Sequence, residues 1–148
     1  MQPCAAGTYN PVIMGVDTNA CLPCEPGYFC EEGTGDYTLF PCLPHNYCPA
    51  STTAPAEFPC PAGTYNPSFG ALRESECIPC PEGHACAGGV APTTCTTGGI
   101  CPVGTGTMLN CYAGTFNPTE GRHRNEDCLP CPTGYFCIEQ TTTPEACP

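Results

Sequence analysis

Tryptophan and lysine are missing from this chain of 148 residues, and large apolar side chains are few: Leu, Ile, Val and Phe together number 20. So little apolar bulk cannot offset the entropy of ordering the chain, which costs roughly 1–2 kcal/mol per residue for the backbone alone. A conventional hydrophobic core is therefore excluded as the main source of stability. Positive charge is scarce as well. Three Arg stand against 14 carboxylates, for a net charge of −11 and a pI near 4.3. Binding to nucleic-acid phosphates or to anionic lipid faces is disfavoured by such a balance, while cationic partners stay open. No apolar stretch approaches the ~20 residues of a membrane span, so membrane insertion of this segment is not expected. Residues 1–20 carry neither the basic start nor the apolar core of a secretory leader.

What the chain does have is cysteine, 17 in all, set on a ruler. From Cys4 the intervals run 17, 3, 6, 12, 6 and 12 residues; from Cys60 they run 17, 3, 6, 9, 6 and 10; from Cys111 they run 17, 3, 6 and 10. The spacing defines three repeats, 1–58, 59–109 and an incomplete 110–148. With its odd cysteine count, the incomplete repeat reads as part of a longer chain. Self-similarity at this period signals a linear array of small units, each touching mainly its neighbours. Cross-links at this density act on the unfolded state, one bridge across about 15 residues being worth about 3 kcal/mol in the loop-entropy model. They also predict an oxidising location, extracellular or at the cell surface.

A smaller unit shows within each repeat. Segments begin at Cys4, Cys24, Cys42, Cys60, Cys80, Cys95, Cys111, Cys131 and Cys147. Most place Gly three residues on, often an aromatic two beyond that, and then Cys or Asn. A glycine reaches φ > 0 without a Cβ penalty and can turn the chain sharply. The aromatic is the one large apolar body that can lie over a nearby disulfide. Asn-Pro at Asn10, Asn66 and Asn117 favours extended backbone, and 20 prolines deny long helices. The expected fold is small and disulfide-rich: an elongated tandem array of short β-ribbons and turns with little or no helix.

Asn occupies the second cysteine position of each opening segment, and a spare cysteine appears later. The first loops are therefore expected to close as Cys4–Cys21, Cys60–Cys77 and Cys111–Cys128. For the remaining segments two schemes are open: crosswise bridges such as Cys24–Cys42 with Cys30–Cys48, or direct closure of the short loops. Six cysteines allow fifteen connectivities, so count alone does not choose. The phrases Cys60-Pro-Ala-Gly-Thr-Tyr65 and Cys128-Leu-Pro-Cys131-Pro-Thr-Gly-Tyr-Phe-Cys137, in this cysteine order, resemble ephrin-receptor-like and tumour-necrosis-factor-receptor-like cysteine-rich repeats. Such repeats occur in receptor ectodomains and in large protist surface proteins. The resemblance covers the whole chain. It implies a non-catalytic extracellular rod paired one–two, three–five, four–six. That scheme gives Cys24–Cys42, Cys30–Cys48, Cys80–Cys95, Cys86–Cys101 and Cys131–Cys147, and leaves Cys137 unpaired or intermolecular.

Other chemistry has little to stand on. Each Cys-x2-Cys pair could grip zinc, but His45, His84 and His123 recur at no common place in the repeat. Few acid–base partners leave enzymatic activity unexpected. Carboxylates such as Glu31-Glu32 and Glu126-Asp127 read as solvated surface, with weak Ca²⁺ binding the one cofactor in view. Thr clusters beside Pro at Thr52, Thr53, Thr93, Thr94, Thr141, Thr142 and Thr143 are candidates for O-linked glycans. The predicted function is structural: a disulfide-stapled rod in a cell-surface stalk, coat or filament, partnered by copies of itself or by adjoining repeats. A ligand-binding receptor segment is the alternative. Its best hint is Arg122-His123-Arg124, the one basic cluster of an acidic chain.

Overall fold

The structure, a computed structural model, describes residues 3–11 and 20–148. Half of the 1–20 stretch read for a leader, residues 1–2 and 12–19, lies outside the described residues. Among the described residues, twelve two-residue strands pair antiparallel as six ribbons. β1 (Thr8–Tyr9) pairs with β2 (Leu22–Pro23), and β3 (Thr64–Tyr65) with β4 (Ile78–Pro79). β5 (His84–Ala85) pairs with β6 (Thr93–Thr94), and β7 (Gly99–Ile100) with β8 (Leu109–Asn110). β9 (Thr115–Phe116) pairs with β10 (Leu129–Pro130), and β11 (Tyr135–Phe136) with β12 (Glu145–Ala146). Proline keeps the ribbons short. It ends β2, β4 and β10 without an N–H to donate, and Asn-Pro follows β1, β3 and β9. Single bridges, Tyr28 to Pro41 and Asn46 to Pro59, replace ribbons in the two segments between. The described helices are three-residue 3₁₀ turns at Tyr37–Leu39, Glu74–Glu76 and Asn125–Asp127. The fold class is thus the small, disulfide-rich series of hairpins that the composition predicts.

The opening loops close as the spacing suggests: Cys4–Cys21, Cys60–Cys77 and Cys111–Cys128. The other pairings differ from the crosswise scheme that the family resemblance implies. Cys24–Cys42, Cys30–Cys48, Cys80–Cys95, Cys86–Cys101 and Cys131–Cys147 are not formed. Each short loop closes on itself instead, as Cys24–Cys30, Cys42–Cys48, Cys80–Cys86, Cys95–Cys101 and Cys131–Cys137. Cys137 is therefore bonded, and Cys147 is the free, exposed cysteine. The cause is the turn between the cysteines. Gly27, at φ +89, reverses the chain and brings the Cα atoms of Cys24 and Cys30 to 5.9 Å, within bridging range. The glycine's own N–H and C=O then point outward, and hydrogen bonds do the joining that crosswise bridges were expected to do.

Two compact units divide the chain, 1–61 with 65–78, and 62–64 with 79–148. The division falls inside the second sequence repeat. In the first unit, the amides of Cys24, Cys42 and Cys60 donate to the carbonyls of Gly7, Gly27 and His45, each at 2.9 Å. In return the amides of Gly7, Gly27 and His45 donate to Cys30, Cys48 and Asn66. The second unit repeats the joint. Amides of Cys80, Cys95, Cys111, Cys131 and Cys147 donate to Gly63, Gly83, Gly98, Gly114 and Gly134 at 2.8–3.0 Å. Amides of Gly63, Gly83, Gly98 and Gly114 donate to Cys86, Cys101, Asn117 and Cys137 at 2.8 Å. Each segment is thus pinned to the next by its turn residue.

The core is made of cross-links. Among the described residues, the largest fully buried side chains are Asn117, Thr52 and ten half-cystines. In the first unit an aromatic cluster forms, where buried Tyr9 packs with Cys24, Cys30, Tyr28 and Tyr37. The ring centroids of Tyr9 and Tyr28 lie 4.6 and 5.0 Å from that of Tyr37, in edge-to-face arrangements.

Candidate functional site

In the opening segments of the second and third repeats, asparagine replaces the second cysteine by hydrogen bonding. The Oδ1 of Asn117 accepts from the Thr119 amide (2.9 Å), and its Nδ2 donates to the Gly99 carbonyl (2.7 Å). Asn66 likewise accepts from the Ser68 amide (2.9 Å). The two cysteines of every Cys-x2-Cys pair belong to different bridges, Cys21 to Cys4 and Cys24 to Cys30 for example. Among the described residues, no three His, Cys, Asp or Glu side chains converge as metal ligands would. Glu31, Glu32, Glu126 and Asp127 are thus not gathered into a calcium cage.

Several carboxylates close turns instead. Oδ2 of Asp127 accepts from the amides of His123 (3.2 Å) and Arg124 (3.0 Å). Those amides, the Arg124 one foremost, hold its carboxyl below the ordinary aspartate value, with Arg122 and His123 adding to the effect. Glu76 stands at the same place in the second repeat and accepts from the amides of Leu72 and Arg73. Glu57 caps Thr53, whose amide and hydroxyl donate to Oε2 at 2.8 and 2.9 Å, and these bonds lower its pKa.

The threonine candidates separate by burial. Thr52 is 1% exposed and its hydroxyl donates to the Pro49 carbonyl (2.6 Å), so it is closed to a glycosyltransferase. Thr34 and Thr141 make the equivalent bond, to Glu31 and Ile138, each at 2.7 Å. These hydroxyls tie a turn back three residues, a structural role that the Pro/Thr composition does not reveal. Thr53 serves Glu57, and Thr93 on β6 donates to the Ala85 carbonyl (3.2 Å). Thr94, Thr142 and Thr143 are exposed.

The basic cluster is engaged within the molecule. Arg122 lies 4.0 Å from Asp127, His123 Nε2 lies 3.5 Å from Glu82, and Arg124 Nε reaches His123 Nε2 at 3.3 Å. That ring nitrogen either accepts from Arg124 or, protonated, faces Glu82; one proton position excludes the other.

In the second unit lies a groove of about 250 Å³ that sequence reasoning missed. Buried Ile100 (3% exposed), Leu109, Tyr112 (77% exposed), Asn110, Thr115 and Asn125 line it. A signal was present in the repeat alignment. Where the third repeat has Asn110, Tyr112 and Asn125, the second has Pro59, Pro61 and Glu74. Pro and Glu give way to two amides and a phenol, all facing one depression.

Among the described residues no helix is long and apolar enough to cross a membrane. The cross-link density is that of an extracellular structural or binding domain. No protein-family model matches the chain, and no curated protein matches it.

Proposed function

We propose that this segment is a non-catalytic structural module of the cell exterior, a stiff, disulfide-stapled stretch of a surface stalk, coat or filament. On this reading its repeats are relatives of the ephrin-receptor-like and tumour-necrosis-factor-receptor-like modules. The observation that carries the proposal is the repeated joint. Within each unit the turn residues give their carbonyls to the next segment's first cysteine, and all of them but Gly134 give their amides to the residue that ends that segment's loop. Such a joint has no intrinsic stopping point, so copies or adjoining repeats extend it by the same register. Support for a non-catalytic role comes from the carboxylates of Glu57, Glu76 and Asp127, which are spent on turn capping. Thr94, Thr142 and Thr143 are the positions where O-linked glycans would sit without disturbing a turn.

Sedimentation velocity tests the proposal. Oxidised protein is expected to sediment with the friction of an extended particle, well above that of a sphere of 15.4 kDa. A near-spherical frictional ratio would overturn the rod. A second reading, a ligand-binding receptor segment, draws on the third repeat, where departures from the pattern collect around one groove.

A further inference from the structure

We propose that the groove lined by Ile100, Leu109, Asn110, Tyr112, Thr115 and Asn125 binds one neutral sugar unit of a glycan. This goes beyond the structural role and does not depend on it.

Size is the first argument. At about 250 Å³ the groove falls below the roughly 300–1,000 Å³ that takes a drug-sized molecule, which leaves room for a single ring. Chemistry is the second. Aromatic and aliphatic surface is supplied by Tyr112, Leu109 and Ile100, and polar capacity by two amides and two hydroxyls. The negative face of a phenol attracts the weakly positive C–H groups on one face of a pyranose. Amides offer donors and acceptors at once, which matches hydroxyls that both give and receive hydrogen bonds. Thr115 spends its hydroxyl proton on the Tyr112 carbonyl, and Asn110 Nδ2 reaches Glu139 at 3.5 Å. The Asn110 carbonyl oxygen, the whole Asn125 amide and the Tyr112 hydroxyl are left to meet a ligand.

Charge selects against the rivals. No ionised side chain lines the groove, in a chain of net charge −11. A carboxylate or phosphate would enter a repulsive field without a cation to receive it. An ammonium ion would find an aromatic face, but the neighbouring Glu139 carboxylate is outside the lining and faces Asn110 Nδ2. A neutral polyol fits both the lining and the field. The same positions of the second repeat carry Pro59, Pro61 and Glu74, which offer no amide and add a charge. The polar side of the site is therefore particular to the third repeat, while Ile100 and Leu109 come from the end of the second.

The test is a titration followed by amide chemical shifts in the intact oxidised chain. The probes are the methyl glycosides of glucose, galactose, mannose and N-acetylglucosamine, with choline and cyclohexanol as controls. At least one glycoside is expected to give saturable shifts at Tyr112, Asn110 and Asn125, with an affinity in the millimolar range typical of one small polar ring. Tyr112→Ala should weaken it about tenfold, a loss of about 1.4 kcal/mol. Asn125→Ala should weaken it too, whereas Tyr112→Trp, which keeps the platform, should retain it. Both side chains are exposed, so folding of the variants is checked by their unchanged thiol count. Absence of saturable shifts with all four glycosides would overturn the proposal. So would an affinity untouched by Tyr112→Ala, or a stronger response to choline or cyclohexanol than to any glycoside. Shifts that arise from protein concentration alone would assign the groove to a second copy of the chain and equally refute it.

Discussion

Turn glycines illustrate how much a single missing Cβ decides. Gly83, at φ +80, would place a Cβ 2.6 Å from the Gly121 carbonyl oxygen, inside the packed stack of the second unit. Gly134, at φ +86, has the same backbone but open space where the Cβ would go. Left-handed backbone costs an L-residue roughly 1–2 kcal/mol, and overpacking against fixed backbone adds about 1–3 kcal/mol. Gly83→Ala should therefore destabilise at least twice as much as Gly134→Ala in thermal or denaturant unfolding. Equal losses would show that conformation alone, rather than close approach of the segments, sets the requirement for glycine. His45 fills the glycine place at φ 67 and shows that the conformation by itself is survivable. Its ring lies 6.3 Å from that of Tyr65, a contact no glycine makes.

Elements here are too short to hold themselves, so side chains close them. The 3₁₀ turn Asn125–Asp127 has its last carboxylate folded back on the amides of His123 and Arg124. A carboxyl whose pKa is lowered by folding stabilises the fold above its unfolded pKa. That contribution is lost as pH falls through the lower folded value. For Asp127 the loss begins near the ordinary value of 3.8 and grows below it; Glu57 behaves alike from 4.5 downward. Asp127→Asn should cost about 0.5–1 kcal/mol at neutral pH, the usual worth of a lost cap. It should also flatten the acid limb of a stability-against-pH curve. A variant whose acid limb matches the parent would show that the cap contributes nothing measurable.

The whole molecule depends on its bridges. Ten half-cystines are among the fully buried side chains, and large hydrophobic side chains such as Leu39, Phe69, Val103 and Ile138 are exposed. Thiol titration of unreduced protein should find one free cysteine, Cys147, and reduction should abolish the folded signature. A folded signature that survives full reduction would mean that ribbons and hydrogen bonds suffice, against the scarcity of apolar bulk. Peptide mapping of the oxidised chain should recover the Cys24–Cys30 and Cys131–Cys137 loops intact. Recovery of Cys24 linked to Cys42 would restore the crosswise scheme.

Much of this molecule was legible in its residues. The cysteine ruler, the glycine three places after most segment-opening cysteines and the prolines determined segments, turns and the absence of long helix among the described residues, because these residues act through local backbone sterics. The first-loop bridges were legible too, since Asn10, Asn66 and Asn117 stand where a competing cysteine would be. Only the tertiary structure decided the rest. Whether Cys24 meets Cys30 or Cys42 turns on where the glycine's amide and carbonyl go, and those bond to residues in the next segment. The fate of Thr52 as a buried tie, and the convergence of Asn110, Tyr112 and Asn125 on one groove, depend on neighbours distant in the chain. Spacing encodes the local turn, whereas burial and convergence arise only when segments stack.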